Sequence, residues 1–195
     1  MIENSFDKGP EGWCSYDYHW SIVAGGPNIF VLATWQESGG IDDSGHIWAD
    51  QSRWSTDTPE TPTSILPLLV YRNWSGLDPI DLREAEVSVY LRGDGLQLDG
   101  AKCYFWVHSV HCRWHFDGSP LTIAAGAWSP EPNRFTLAND ESMWRMSWSR
   151  DPANPLPLDE VLASAESYGF SFVGFGQEPR GRFSIDEFEI KTAGA

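Results

Sequence analysis

Apolar residues recur at every second position through most of this chain. That spacing puts one set of strand side chains against a core and the alternate set on the opposite face of a sheet. Two runs carry the pattern most clearly. In residues 86–92 (EVSVYLR), Val87, Val89 and Leu91 alternate with Glu86, Ser88, Tyr90 and Arg92; in residues 102–108 (KCYFWVH), Cys103, Phe105 and Val107 alternate with Lys102, Tyr104, Trp106 and His108. Similar runs at 28–36, 68–73, 113–116, 121–124, 134–137, 170–175 and 183–190 predict further strands, as does 142–148, where the spacing puts Trp144, Met146 and Trp148 on one face. Residues 46–54 fit no single period. Prolines in 55–67 withhold the amide hydrogens a ladder needs, so this stretch reads as a long surface loop.

One helix is expected, over 158–167, where Asp159 and Glu160 lie near the positive end of its dipole and Gly169 follows its last turn. In the last strand, Phe183 and Ile185 are apolar at odd positions but Phe188 and Ile190 at even ones. A period of two buries both sets only with an extra residue, which predicts a β-bulge near Asp186-Glu187, with plain twisting at a sheet edge as the alternative. Short alternating runs separated by turn residues, with no strand–helix alternation, specify an all-β antiparallel sandwich or barrel, and 195 residues fit one domain, 1–195.

Composition alters this picture in three ways. Eleven Trp within 14% aromatic residues supply either large core filler or contact residues. Thirteen Lys and Arg against 28 Asp and Glu leave a net charge of −15, a field that repels phosphate backbones and anionic bilayers and argues against nucleic-acid and membrane partners. Cys14, Cys103 and Cys112 are too few for a disulfide framework. Buried free thiols are the simplest reading, with a Cys103–Cys112 bridge open if the two face one another across a hairpin. The chain has no apolar run of ~18 residues and no basic-then-apolar leader. Localisation therefore stays open between the cytoplasm and, if a signal has been removed, the exterior.

The chemistry is carried by the outward positions. If the two best runs are neighbours, Tyr90, Arg92, Tyr104, Trp106 and His108 form one aromatic and cationic face, with Arg53 and Trp54 as walls. Flat rings stack on sugar C–H faces while arginine, histidine and carboxylate groups bond hydroxyls, so the expected ligand is a saccharide or another small molecule. The same face covered by the 55–67 segment would instead be a second small core. The cluster His108, His111, Cys112, His115 does not read as a metal site, because His111 and His115 on one strand stand about 13 Å apart. Crowded acids at Asp42, Asp43, Asp50 and Asp57, near His46 and Arg53, read as solvated loop acids or calcium ligands. An enzymatic alternative would use His108 or His115 as general base and Arg92 or Arg113 to hold an anion. A protein-interaction domain is the third reading.

The order of several motifs carries a resemblance over nearly the whole chain. These are Phe6-Asp7-x-Gly9-x-x-Gly12-Trp13, Gly39-Gly40 followed by Gly45-His46-Ile47, the proline-bearing loop, EVSVYLRGDG, a late helix at 158–162 and the closing 183–188. Together they resemble the β-jelly-roll of carbohydrate-binding modules and of the laminin IV type domain. That resemblance implies a two-sheet antiparallel sandwich with one short late helix, of the galactose-binding-like kind, often glycan-binding. It also implies a structural calcium ion, for which Asp186 with Asp7 or Glu3 are the matching positions. Residues 184–189 further resemble the carboxylate-bearing strand of laminarinase-type glycosidases, but Ser184 stands where those enzymes carry the catalytic glutamate, so that activity is not implied.

Overall fold

In the computed structural model, residues 1–16, 30–57 and 62–193 are described. The expected strand start at 28–29 and loop residues 58–61 lie outside them. The strands, in chain order, are β1 (Ile2–Asn4), β2 (Trp13–Tyr16), β3 (Phe30–Leu32), β4 (Thr34–Gln36), β5 (His46–Asp50), β6 (Ser55–Thr56), β7 (Ser64–Leu66) and β8 (Leu69–Tyr71). There follow β9 (Glu86–Gln97), β10 (Lys102–Ser109), β11 (Cys112–Phe116), β12 (Ala124–Ala125), β13 (Asn133–Thr136), β14 (Trp144–Ser149), β15 (Ser167–Val173) and β16 (Arg180–Lys191). They form two sheets. Sheet A runs β12-β9-β16-β5-β4, with β1 on β16 and β13 on β9; sheet B runs β14-β11-β10-β15-β8-β2-β3, with β7 on β15 and β6 on β7. All pairings are antiparallel except β12 with β9.

The core lies between the sheets and is largely aromatic. Val87, Val89 and Leu91 point into it from sheet A, and Cys103, Phe105 and Val107 from sheet B, as their alternation requires. At its centre the Trp13 ring stacks on Phe170 at 5.8 Å and meets Phe188 edge-on at 4.8 Å, while its indole N–H donates to Asn4 Oδ1 at 3.1 Å. A buried indole is tolerated because that one polar atom is satisfied.

The bulge in the last strand is present. Between Asp186 opposite Tyr90 and Glu189 opposite Ser88, β16 carries an extra residue, and Glu187 takes a left-handed φ of 46°. Phe183, Ile185, Phe188 and Ile190 thereby all reach the core. A second bulge escaped the alternation pattern. Between Arg113 and Trp114 the register of β11 with β14 shifts, so Trp148 pairs with Arg113 on the outer face while Trp144 and Met146 stay with the core. The three do not share a face.

Two segments differ from expectation. The helix, α1 (Leu158–Ala163), is shorter than predicted, and Ser167 already belongs to β15; Leu158, Val161 and Leu162 are its buried face. Within 55–67, β6 and β7 form an edge hairpin on β15, with Ser64, Ile65 and Leu66 buried, rather than a free surface loop. A short strand at the end of this segment coexists with its prolines because Pro67 sits in the break between β7 and β8. Cys14, Cys103 and Cys112 are free and buried; Cys112 pairs opposite Ser109, far along β10 from Cys103, so the two do not face each other. Among the described residues no helix is long and apolar enough to cross a membrane.

Candidate ligand-binding face

The face expected from β9 and β10 is divided by the fold. β9 pairs with β16, β12 and β13 in sheet A, whereas β10 pairs with β15 and β11 in sheet B. Tyr90 and Arg92 therefore lie on the outer surface of one sheet and Tyr104, Trp106 and His108 on the outer surface of the other, across the whole sandwich. Both runs bury their alternate residues, but they do so from opposite sides of one core. The connection at 98–101, with left-handed Asp99 (φ 52°) and Gly100 (φ 93°), passes between sheets instead of closing a hairpin.

On sheet A, Arg92 is committed to local contacts. Its Nε and Nη2 donate to Asp94 Oδ2 at 3.1 and 3.0 Å and its Nη1 to the Gly39 carbonyl at 3.1 Å, with Cζ 4.7 Å from the centre of the Trp128 ring. Tyr90 pairs opposite Asp186. Arg53 donates to Thr34 Oγ1 at 2.8 Å, and Trp54 packs on Phe172 at 5.2 Å with its N–H on the Ala49 carbonyl. Neither residue walls the β10 face. The crowded loop acids disperse too: Asp57 lies by Arg113 on sheet B, Asp43 accepts from the Gly39 amide, Asp50 from Ser52, and His46 is fully buried.

Asp186 is fully buried and held by three donors. Its Oδ2 accepts from the Ile41 amide at 2.6 Å and the Ser44 hydroxyl at 3.0 Å, and its Oδ1 from the Glu187 amide at 2.8 Å. These are donors, so the carboxylate already clamps the loop at 40–44. Asp7 accepts from Ser5 Oγ, and Glu3 sits on β1 opposite Glu189. Among the described residues no three His, Cys, Asp or Glu side chains converge as ion ligands, the histidine-rich 108–115 stretch included.

Sheet B presents the more coherent surface. Residues directly opposite one another in antiparallel strands point to the same side, and the pairings Trp148–Arg113, Arg113–His108, His108–Ser167 and Ser167–Tyr71 form one row across β14, β11, β10, β15 and β8. Rings follow that row. Trp74, in the 3-10 turn after β8, lies 6.4 Å from Tyr71; Tyr71 lies 6.2 Å from His108; and His108 lies 6.1 Å from Trp148. Trp74 is 55% exposed, and Tyr71 and Trp148 are half-buried.

Beneath the row, Trp106 is only 2% exposed. It packs with Cys14, Leu66 and Leu69 as a second small core, and its indole donates to the Phe170 carbonyl at 2.9 Å. It is a floor to the site and leaves no ring face for a ligand. Tyr104 is nearly buried beside His115, their rings 6.5 Å apart. Arg113, also buried, donates from Nε to Ser147 Oγ at 3.1 Å and from Nη2 to Ser64 Oγ at 3.3 Å, and its Nη2 lies 4.0 Å from Asp57. On a flat sheet Arg113, in register with Ser167, and Ser64, in register with Val173, would stand about 14 Å apart across two intervening strands and about 20 Å apart along them. An arginine and a serine meeting across that interval require sheet B to curl toward this side.

Burial sets the protonation of these groups. It lowers the Arg113 pKa to about 10 against the opposing pull of Asp57, and lowers His108 to about 4, helped by Arg113 and His111. His115 is pushed well below the usual range by burial, then by Arg113 and Arg145. His108 exchanges a hydrogen bond with Ser167 Oγ at 3.2 Å and stands 4.0 Å from Glu166. His108, His115 and Arg113 thus do share a face, without Arg92, but an imidazole with a pKa near 4 is a weak general base at neutral pH. The arrangement is built for hydrogen bonding and stacking.

Sequence reasoning missed Tyr71, Trp74 and Trp148. Tyr71 and Trp74 fall at the end of a short run with no long alternation, and Trp148 reaches the face only through the β14 bulge.

No protein-family model matches the chain, and no curated protein matches it in sequence. Among solved structures it is similar to that of an exo-β-agarase, with a TM-score of 0.50 and 12% identity, covering 100% of this chain and 26% of that one. A family 11 carbohydrate-binding module from Clostridium thermocellum, solved with a β-1,3-1,4-mixed-linked tetrasaccharide, gives a TM-score of 0.47 at 12% identity over 83% of each chain. A family 28 module specific for non-crystalline cellulose gives 0.44 at 10% identity over 98% of this chain and 93% of that one. The chain spans about a quarter of the agarase. What the similarity carries is the fold, a two-sheet β-sandwich of the jelly-roll kind.

Proposed function

We propose that the protein is a carbohydrate-binding module that holds a saccharide on the outer face of sheet B, along the ring row Trp74, Tyr71, His108 and Trp148. The observation that supports this is the row itself: four rings with neighbours 6.1 to 6.4 Å apart on the outer face of sheet B, with hydrogen-bonding groups between them. Trp74, Tyr71 and Trp148 offer ring surface to the C–H faces of sugars, with planes tilted by 35 to 64° between neighbouring rings of the row, while His108 and the hydroxyls beside it meet the ligand's O–H groups. His108 is neutral at physiological pH and, with Nδ1 engaged by Ser167 Oγ, has Nε2 left to meet the ligand. The site is displaced from the one expected in sequence, since Tyr90 and Arg92 take no part and Trp106 acts as its floor.

Calorimetric titration with oligosaccharides tests the reading. Trp148→Ala removes a half-buried platform without opening the main core, and should weaken binding by about 1 to 2 kcal/mol, roughly 5- to 30-fold. Arg92→Ala, on the other sheet, should leave affinity unchanged. Equal loss in both variants, or loss only in Arg92→Ala, would move the site off sheet B.

A further inference from the structure

On the same face, from the row of His115 next to the rings to the row of Val173 further along the strands, lies a cleft of about 240 Å³ between β14 and the β6–β7 hairpin. Val173 gives it an apolar wall, Met146, packed against the main core, meets it at the β14 bulge, and Thr63, Ser64, His115, Arg145 and Ser147 supply its polar groups. His115 is 1% exposed and neither ring nitrogen has a partner in the protein. Leaving such a group unpaired costs about 1 to 3 kcal/mol, so a buried imidazole lining a cleft needs something in that cleft to bond. Ser64 Oγ already accepts from Arg113, which leaves its hydrogen free to be donated. Arg145 projects from the rim, half exposed, and its nearest acid, Asp117, is 3.9 Å away, beyond hydrogen-bond distance. Ser147 is occupied in both directions by Arg113, and Thr63 donates to Asp57. Asp57 in turn accepts from the Thr63 and Ser64 amides and, 4.0 Å from Arg113, offsets part of that buried charge. The cleft therefore offers Arg145, shared with Asp117 across 3.9 Å, the Ser64 hydroxyl hydrogen and the two His115 ring nitrogens, one an N–H donor and one an acceptor, as a local cluster of donors on a chain whose net charge of −15 otherwise opposes an anionic ligand.

From this geometry we infer that the cleft receives the anionic substituent, a carboxylate or a sulfate ester, of an acidic saccharide laid along the ring row. The inference rests on the saccharide reading above and deepens it: the rings hold the sugar chain, and His115, Ser64 and Arg145 select one that carries negative charge. Hydrogen bonds to a charged acceptor are shorter and stronger than those to a hydroxyl, which is the source of the selection.

The test uses matched pairs of oligosaccharides on the whole chain: oligogalacturonate against its methyl ester, and a sulfated galactan oligomer against its desulfated form. At least one acidic member should bind about tenfold or more tightly than its neutral partner, and which pair shows the difference distinguishes carboxylate from sulfate. Arg145→Ala, at a rim position that does not threaten folding, should erase that preference while leaving neutral-ligand affinity in place. His115→Gln, which keeps a donor and an acceptor, should retain part of it. Trp148→Ala should weaken acidic and neutral members alike. Acidic and neutral members binding equally, or an acidic preference that survives Arg145→Ala, would overturn the cleft's role and leave the ring row standing. Absence of binding by every member would remove the saccharide reading and the inference with it.

Discussion

Replacing His108 by Phe should remove a specific part of the protein's acid sensitivity. The imidazole is nearly buried between Tyr71 and Trp148, and burial, Arg113 and His111 lower its pKa to about 4. In the unfolded chain it titrates near 6.5. A folded-state pKa below the unfolded one means that the unfolded chain binds the extra proton first as pH falls. The stabilisation contributed by the neutral ring is thus complete above pH 6.5 and is lost as pH drops toward 4. The gap between those values corresponds to about 3 kcal/mol. Phe keeps the ring contacts but leaves Ser167 Oγ without its partner, a pH-independent cost of about 1 to 2 kcal/mol. His46 and His115, also lowered, act in the same direction, and the raised carboxyls of Asp186 and Glu187 act oppositely. Both sets are common to the two proteins and cancel in their difference. Urea unfolding at intervals from pH 7.5 to 4 should therefore find the variant less stable at pH 7.5 and the gap closing, then reversing, toward pH 4. Parallel curves over that range would refute the burial argument for His108.

Other substitutions probe the frame around the site. Trp106→Ala should cost about 3 to 5 kcal/mol of folding stability in chemical denaturation, because the ring is the centre of the small core under the face; a loss below 1 kcal/mol would contradict its burial. Asp186→Ala strips three donors of their acceptor and should lower the melting temperature in scanning fluorimetry, whereas addition of calcium or of a chelator should leave the wild-type value unchanged. A rise of several degrees with calcium would show that the carboxylate serves an ion. The thiols of Cys14 and Cys103 are held up by burial, Cys14 to about 12, so a disulfide reagent should label them only at the rate of unfolding.

The elements legible in the sequence were those fixed by local alternation. Val87, Val89 and Leu91, and Cys103, Phe105 and Val107, are buried as their period requires, and the broken period from Phe183 to Ile190 located the bulge at Asp186-Glu187. Alternation says which side of a strand meets the core, but not which sheet the strand joins. That is why Tyr90 and Tyr104 could be placed on one face and are found on two. A phase change also hides inside a run when hydrophobic residues stand on both sides of it. Trp144, Met146 and Trp148 keep a perfect sequence period, yet the register shift beside Arg113 turns only Trp148 outward. Trp54 and Trp106, both singled out as contact residues, are spent on packing, because a large ring with one satisfied N–H is as useful in a core as on a surface.

The central claim is that the ligand face is the outer side of sheet B and not that of sheet A. Indole N–H resonances report it directly, since Trp74 and Trp148 mark one face, and Trp48, on β5 under the Arg182 guanidinium, and Trp128, under that of Arg92, mark the other. Titration of the labelled protein with a binding oligosaccharide should shift the Trp74 and Trp148 signals in a saturable way and leave Trp48 and Trp128 in place. Saturable shifts confined to Trp48 and Trp128 would contradict the account.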